Sequence, residues 1–200
     1  MKNNIDLLKP HFSTSDWDFS SANWELTALN YVSAPTSLHS TLTDLLVLCR
    51  LPLSLCLPVG RMTTWIIRDN TYPPCITFRH QTALGDASNQ AAYRIRFNSA
   101  TITRLYYWDG AAETLIDSWA TGISAIDWTR NQITWWNGVN LQGLPALCVE
   151  YHKWADPNWQ SQGIRYDTNN RHKDSDINRC GFQRLHKATW VDDTEIWIPV

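Results

Sequence analysis

Short runs in which apolar and polar residues alternate one for one recur along this chain. No long stretch repeats with the 3.6-residue period of a helix. In "AAYRIRFN", Tyr93, Ile95 and Phe97 face one way and Arg94 and Arg96 the other, which is the pattern of a half-buried strand. "TITRLYYWDGAAETLIDSW" reads as strand, Asp109-Gly110 turn, strand. "QITWWNGVNLQG" carries Asn137-Gly138, a hairpin signal because both residues tolerate positive φ. "ALCVEYHKW", "GIRYDTN" and "TWVDDTEIWI" alternate again. "WELTALNYV", "SLHSTL", "DLLVLCRL", "RMTTWIIRD" and "CITFRHQ" are further strand candidates. Roughly a dozen short strands at about 8–12-residue spacing predict an all-β sandwich or barrel.

A chain of 200 residues is long enough to bury a core as one domain, and 44% hydrophobic with 18% charged residues is a globular composition. Residues 16–200 are read as a single β-sandwich domain preceded by an N-terminal arm over 1–15. The polar stretch Asp167–Arg179 is a loop. A formal net charge of −2 gives no electrostatic case for nucleic acid. Arg94, Arg96 and Arg104 are expected to form a solvated or salt-bridged cross-strand patch. "MKNNIDLLKPHF" has no apolar signal core, so no secretory leader is expected. "LTDLLVLCRLPLSLCLP" is broken by Asp44, Arg50, Pro52 and Pro58 and is not expected to enter a membrane. The five cysteines form no C-x-x-C pair. Buried free thiols are expected, with a Cys49–Cys56 bridge as the alternative.

The motifs of common chemistries are missing. There is no G-x-S-x-G, no G-x-x-x-x-G-K-[ST] and no G-x-G-x-x-G, and the six histidines lack metal-ligand spacing. In "WVDDTEIW", strand alternation places Asp193 and Glu195 on one face, about 6.5–7 Å apart. The 12 tryptophans are the unusual feature, because indoles are preferred platforms for flat ligand faces. Trp135 and Trp136 must point to opposite faces of a strand, and Trp154 and Trp159 lie beside turn-like polar residues. A carbohydrate-binding platform is therefore expected from Trp136, Asn137, Trp154, Asp156, Trp159 and Arg165. Aromatic burial in the core, and a protein–protein hot spot, are the alternatives for the same residues.

"NWELTALNYVSAPTSLHS", "YRIRFN", "TITRLYYWDG" and the closing "WVDDTEIW" resemble, in order and kind, the concanavalin A-like (laminin-G-like) jelly-roll family, over roughly Trp17 to Trp197. The resemblance implies two antiparallel sheets packed face to face, with the last strand beside the first Trp-bearing ones. Some members of that family hold a structural calcium in this region, which makes Asp16, Asp18, Asp192 and Asp193 calcium candidates; the expectation is no metal and no cofactor, with these acids hydrogen-bonded to a neighbouring loop and solvated. Glycosidases of this fold carry a Glu-x-Asp-x-x-Glu type strand, which this sequence lacks. The expectation is a non-catalytic structural and binding module without an organic cofactor. It would be a virion component of a phage-like virus (capsid decoration, head-fibre or tail-associated), partnered by other virion proteins or by itself and recognising cell-surface glycan. A stand-alone lectin is the alternative, and a glycoside hydrolase of the same fold the third reading.

Overall fold

The computed structural model describes residues 4–6, 17–19, 24–27, 37–40, 46–49, 58–67, 73–81, 90–175, 178–183 and 190–199. Every described strand pair is antiparallel. The strands are β1 (Asn4–Asp6), β2 (Trp17–Phe19), β3 (Trp24–Thr27), β4 (Ser37–Ser40), β5 (Leu46–Cys49), β6 (Gly60–Ile67), β7 (Cys75–His80), β8 (Ala92–Arg96), β9 (Thr103–Trp108), β10 (Glu113–Trp119), β11 (Thr129–Val139), β12 (Pro145–Ala155), β13 (Asn158–Asp167), β14 (Arg179–Gln183) and β15 (Trp190–Pro199). One sheet runs β13-β12-β11-β6-β15-β4-β3, and the other β10-β9-β8-β7-β14-β5-β2. β1, within the stretch read as an arm, pairs with the end of β15 from Asp6↔Trp197 to Asn4↔Pro199.

Alternation decides what lies between the sheets. Met62, Ile66, Ile133, Trp135, Val149 and Tyr151 face inward from the first sheet. They meet Phe78, Tyr93, Ile95, Leu105, Trp119 and Phe182 from the second. The Trp135 ring stacks on Phe78 with centroids 4.9 Å apart, and Tyr151 meets Trp119 edge-on at 5.7 Å. On the far side of β8, Arg94 forms an ion pair with Glu113 at 2.9 Å and Arg96 pairs with the same carboxylate. Their guanidinium groups lie over the Trp108 and Tyr106 rings at 4.4 and 4.7 Å. Arg94 and Arg96 thus form a salt-bridged patch, and Arg104 reaches the Tyr106 hydroxyl. Cys75, Cys148 and Cys180 are buried thiols, while the Cys49 and Cys56 side chains lie outside the described residues.

Two local expectations change. Asn137-Gly138 is not the hairpin turn, because β11 runs through it and the chain reverses at Asn140–Gly143. There the Asn140 Oδ1 accepts from the Gln142 and Leu144 amides at 3.0 and 2.9 Å, and Gly143 takes φ +77°. Gly138 instead admits a close neighbour: a Cβ there would lie 2.8 Å from the Cys148 Sγ. Second, β15 carries a bulge. Asp192 pairs with Trp65 and Glu195 with Thr63, so one residue is extra, and Asp193 takes φ +43°. Thr194 then turns inward onto Thr64 (2.7 Å) beside buried Val191 and Ile196, and it is Asp192, not Asp193, that shares the outward face with Glu195.

Candidate functional site

Directly paired residues of an antiparallel sheet share a face, so register builds the outward surface of the first sheet row by row. Trp159 pairs with Trp154 across the Asp156-Pro157 turn, and Arg130 pairs with Trp65. The two hairpin indoles meet edge-on, 5.3 Å between centroids at 73°. The Arg130 guanidinium lies 5.3 Å from the Trp159 ring, 5.7 Å from Trp154 and 6.0 Å from Trp65. All four side chains are half-buried. The next row reads Ser161, His152, Gln132, Thr63 and Glu195. The row after that holds Glu150, Thr134, Arg61 and Trp197. Glu150 accepts from the Ser161 Oγ at 3.1 Å and lies 3.4 Å from the His152 Nε2.

The six residues expected from sequence to form one platform therefore separate. Trp154 and Trp159 come together, with exposed Asp156 in the turn between their strands. Trp136 shares their face but pairs with Cys148, six residues before Trp154 on β12, which is ~20 Å at strand rise. Asn137 is committed elsewhere, since its Oδ1 accepts from the Arg79 Nη2 at 2.8 Å. Arg165 pairs with core residue Val149 and faces the other sheet. Its Nε donates to the Ser118 carbonyl at 2.8 Å, and its guanidinium meets Asp117 and the Trp119 ring. With the Trp119 Nε1 donating to the Gly163 carbonyl (2.9 Å), Arg165 laces the edges β10 and β13. Sequence reading missed Arg130 and Trp65, because their meeting depends on the pairing of β6 with β11, remote in the chain.

The calcium candidates are also dispersed. Asp16 lies outside the described residues, Asp18 is on β2 in the second sheet, and Asp192 and Asp193 are on β15 in the first. β2 pairs with β5, so it is not the neighbour of the closing strand. Asp192 is fully buried, and its Oδ1 accepts from the Asp193 amide at 2.8 Å. Among the described residues no three His, Cys, Asp or Glu side chains gather as a metal site.

At the other end of β12, a cleft of about 440 Å³ opens between Leu115, the Asn140–Gln142 turn, Tyr166 and the Asp167–Arg171 loop. Beneath it lies a buried polar network. Asp167 accepts from the Tyr93 hydroxyl (2.6 Å) and the Arg171 Nη1 (2.9 Å), and the Arg171 guanidinium stacks over Tyr107 at 4.2 Å. Burial, reinforced by the bond to Asp167, pushes the Tyr93 phenol up. The Tyr107 hydroxyl meets the His172 Nε2 at 2.9 Å. Burial, then Arg79 and Arg171, hold His172 below its ordinary 6.5. The unfolded chain then binds a proton that the fold resists. Stability is full above about pH 6.5 and falls as pH drops from there toward the lower folded value. His172→Gln should flatten the decline in urea midpoint between about pH 7 and 5; an unchanged slope would refute this.

Two antiparallel sheets enclosing a common core, with an aromatic and polar outward face, define the chain as a two-sheet jelly-roll sandwich of the concanavalin A-like kind. No family model and no curated protein matches it significantly. Solved structures do. The VIP36 exoplasmic/lumenal domain in its Ca2+/Man-bound form is similar at TM-score 0.55 and 10% identity, over 98% of this chain and 89% of that one. A Shewanella oneidensis MR-1 protein of unknown function is similar at TM-score 0.57 and 12% identity, over 98% and 84%. A prokaryotic β-1,3-1,4-glucanase (lichenase) from a mouse hindgut metagenome is similar at 0.50 and 10%, over 99% of both chains. At such identities the likeness carries the fold alone.

Proposed function

We propose that the chain is a non-catalytic binding module that recognises glycan on the outward face of its first sheet and assembles with other proteins. The observation that carries the glycan reading is the cluster of Trp65, Trp154 and Trp159 around Arg130, beside the polar row of His152, Gln132 and Ser161. Indole faces stack pyranose rings, and flanking amide, imidazole and hydroxyl groups fix their hydroxyls. A glycan array tests it. Trp154→Ala should weaken any retained binding at least about tenfold while the chain stays folded. A wild-type chain that binds no glycan would sink the reading.

Assembly is supported by Val139, Leu141 and Leu144, which are 57%, 84% and 55% exposed around one turn, with Leu115 at 52% across the cleft. The setting proposed for it is a virion, as a decoration, head-fibre or tail-associated protein. Light scattering and a search of purified particles test this, and a strict monomer absent from particles would refute it.

A second reading, a glycoside hydrolase, rests on Glu195, which shares the row of His152 and Gln132 on the tryptophan-bearing face while Asp192 beside it is buried. A hydrolytic rate lost in a folded Glu195→Gln variant would establish that reading over the first.

A further inference from the structure

Most of the described arginines are met by oxygen. Arg94 and Arg96 hold Glu113, Arg165 holds Asp117 and Arg171 holds Asp167. Arg79 is surrounded by carbonyl and amide oxygens, and Arg61 and Arg104 reach the hydroxyls of Thr134 and Tyr106. Arg130 is met by ring faces instead, those of Trp65, Trp154 and Trp159. Its Nε is shut away from solvent without an acceptor. Among the described residues no carboxylate pairs with it. Its neighbours along the face, Gln132 and Thr63, are uncharged. Glu150, four residues from Trp154 on β12, is engaged by Ser161, and Glu195 stands two strands away opposite Thr63. Asp192, which pairs with Trp65 in the same row, is fully buried with its Oδ1 held by the Asp193 amide, and Asp156 lies exposed in the turn.

Among the described residues the fold thus gives this cation aromatic faces but no ion-paired carboxylate. Indole rings attract a guanidinium, yet they do not complete the planar fork of donors that a carboxylate matches in bidentate fashion. A sugar hydroxyl would satisfy one donor and leave the charge uncompensated. Resting on the glycan reading above, we infer that the glycan selected by this face is acidic: a uronic acid unit lies against Trp154 and Trp159 and its carboxylate takes the terminal nitrogens of Arg130. Three features of one ligand are used together, namely a flat ring, a charge and a fork.

Titration calorimetry against oligogalacturonate, its methyl ester and cello-oligosaccharides tests the inference. The ester keeps the ring and removes the charge. The free acid should bind at least about tenfold more tightly than the ester or the neutral oligomers. Arg130→Gln should erase that preference, and Arg130→Lys should restore only part of it, because a lysine keeps the charge without the fork. Equal affinity for acid and ester overturns the inference. So does neutral-glycan binding that depends on Trp154 without a preference for acid, although the stacking site then stands. If no glycan of either kind binds, the glycan reading fails and this inference with it.

Discussion

Trp135→Ala should cost about 3–5 kcal/mol of unfolding free energy, whereas Trp136→Ala, one residue on, should cost about 1–2 kcal/mol. Trp135 is 3% exposed and stacks on Phe78 in the core. Gly60 packs against it so closely that a Cβ there would lie 2.8 Å from its Cζ2, so the removed indole leaves a cavity lined by stiff sheet residues. Trp136 faces outward and is half-buried, so water can fill part of the space it leaves. Urea midpoints of both variants, with slopes compared to confirm two-state unfolding, check the pair. Reversed costs would mean that β11 is shifted by one residue, because such a slip exchanges the two faces, and equal costs would refute the burial of Trp135 alone. Trp135→Phe should be milder, since the Trp135 Nε1 has no acceptor to lose.

Arg79→Met should cost about 3–5 kcal/mol and loosen one end of the sandwich. Arg79 is 1% exposed. Its Nε donates to the Pro58 carbonyl at 2.8 Å, its Nη1 to the Asn170 Oδ1 and the Arg171 carbonyl at 2.8 and 3.0 Å, and its Nη2 to the Asn137 Oδ1 at 2.8 Å. Burial pulls its pKa down to about 10, so it stays charged at neutral pH. Methionine fills the space but leaves four acceptors without a donor. The loop it holds includes Asn170 and His172 at φ +42° and +60°, conformations that persist only where surrounding contacts fix them. Amide exchange over residues 168–175 should therefore accelerate in the variant beyond what global destabilisation explains. Exchange that rises uniformly through the chain would refute a local role. The cleft beside Leu115 should lose definition in the same variant, because Asp167–Arg171 forms one of its walls.

Strand identity was legible because alternation is local. "AAYRIRFN" became β8 with its apolar residues inward, and Asp109-Gly110 lies in the β9–β10 connection, where Gly110 takes φ +104°. The same logic failed at β14, where Cys180 and Phe182 do alternate into the core but five residues around Gly181 are too short a run to stand out. It failed again at Asn137-Gly138, where a turn-forming pair serves a buried arginine and a close sulfur. In the candidate site, Trp154 and Trp159 were found because they flank one short turn. Arg130 and Trp65 were not, and Arg165 was assigned to the wrong face because Gly163 and the irregular pairing near Glu150 and His152 interrupt the count along β13.

By itself the sequence determined that this chain is built of strands, where most of them lie, and that Trp135 and Trp136 point to opposite faces of one strand. These follow from the two-residue period of a strand, which each segment carries within itself. Only the tertiary structure decided which strands are neighbours, that a bulge at Asp193 puts Asp192 beside Glu195 on the outward face, and that Arg130 lies among tryptophans drawn from three strands. Pairing between distant segments is set by how two whole faces bury each other, and no local stretch of residues contains that information.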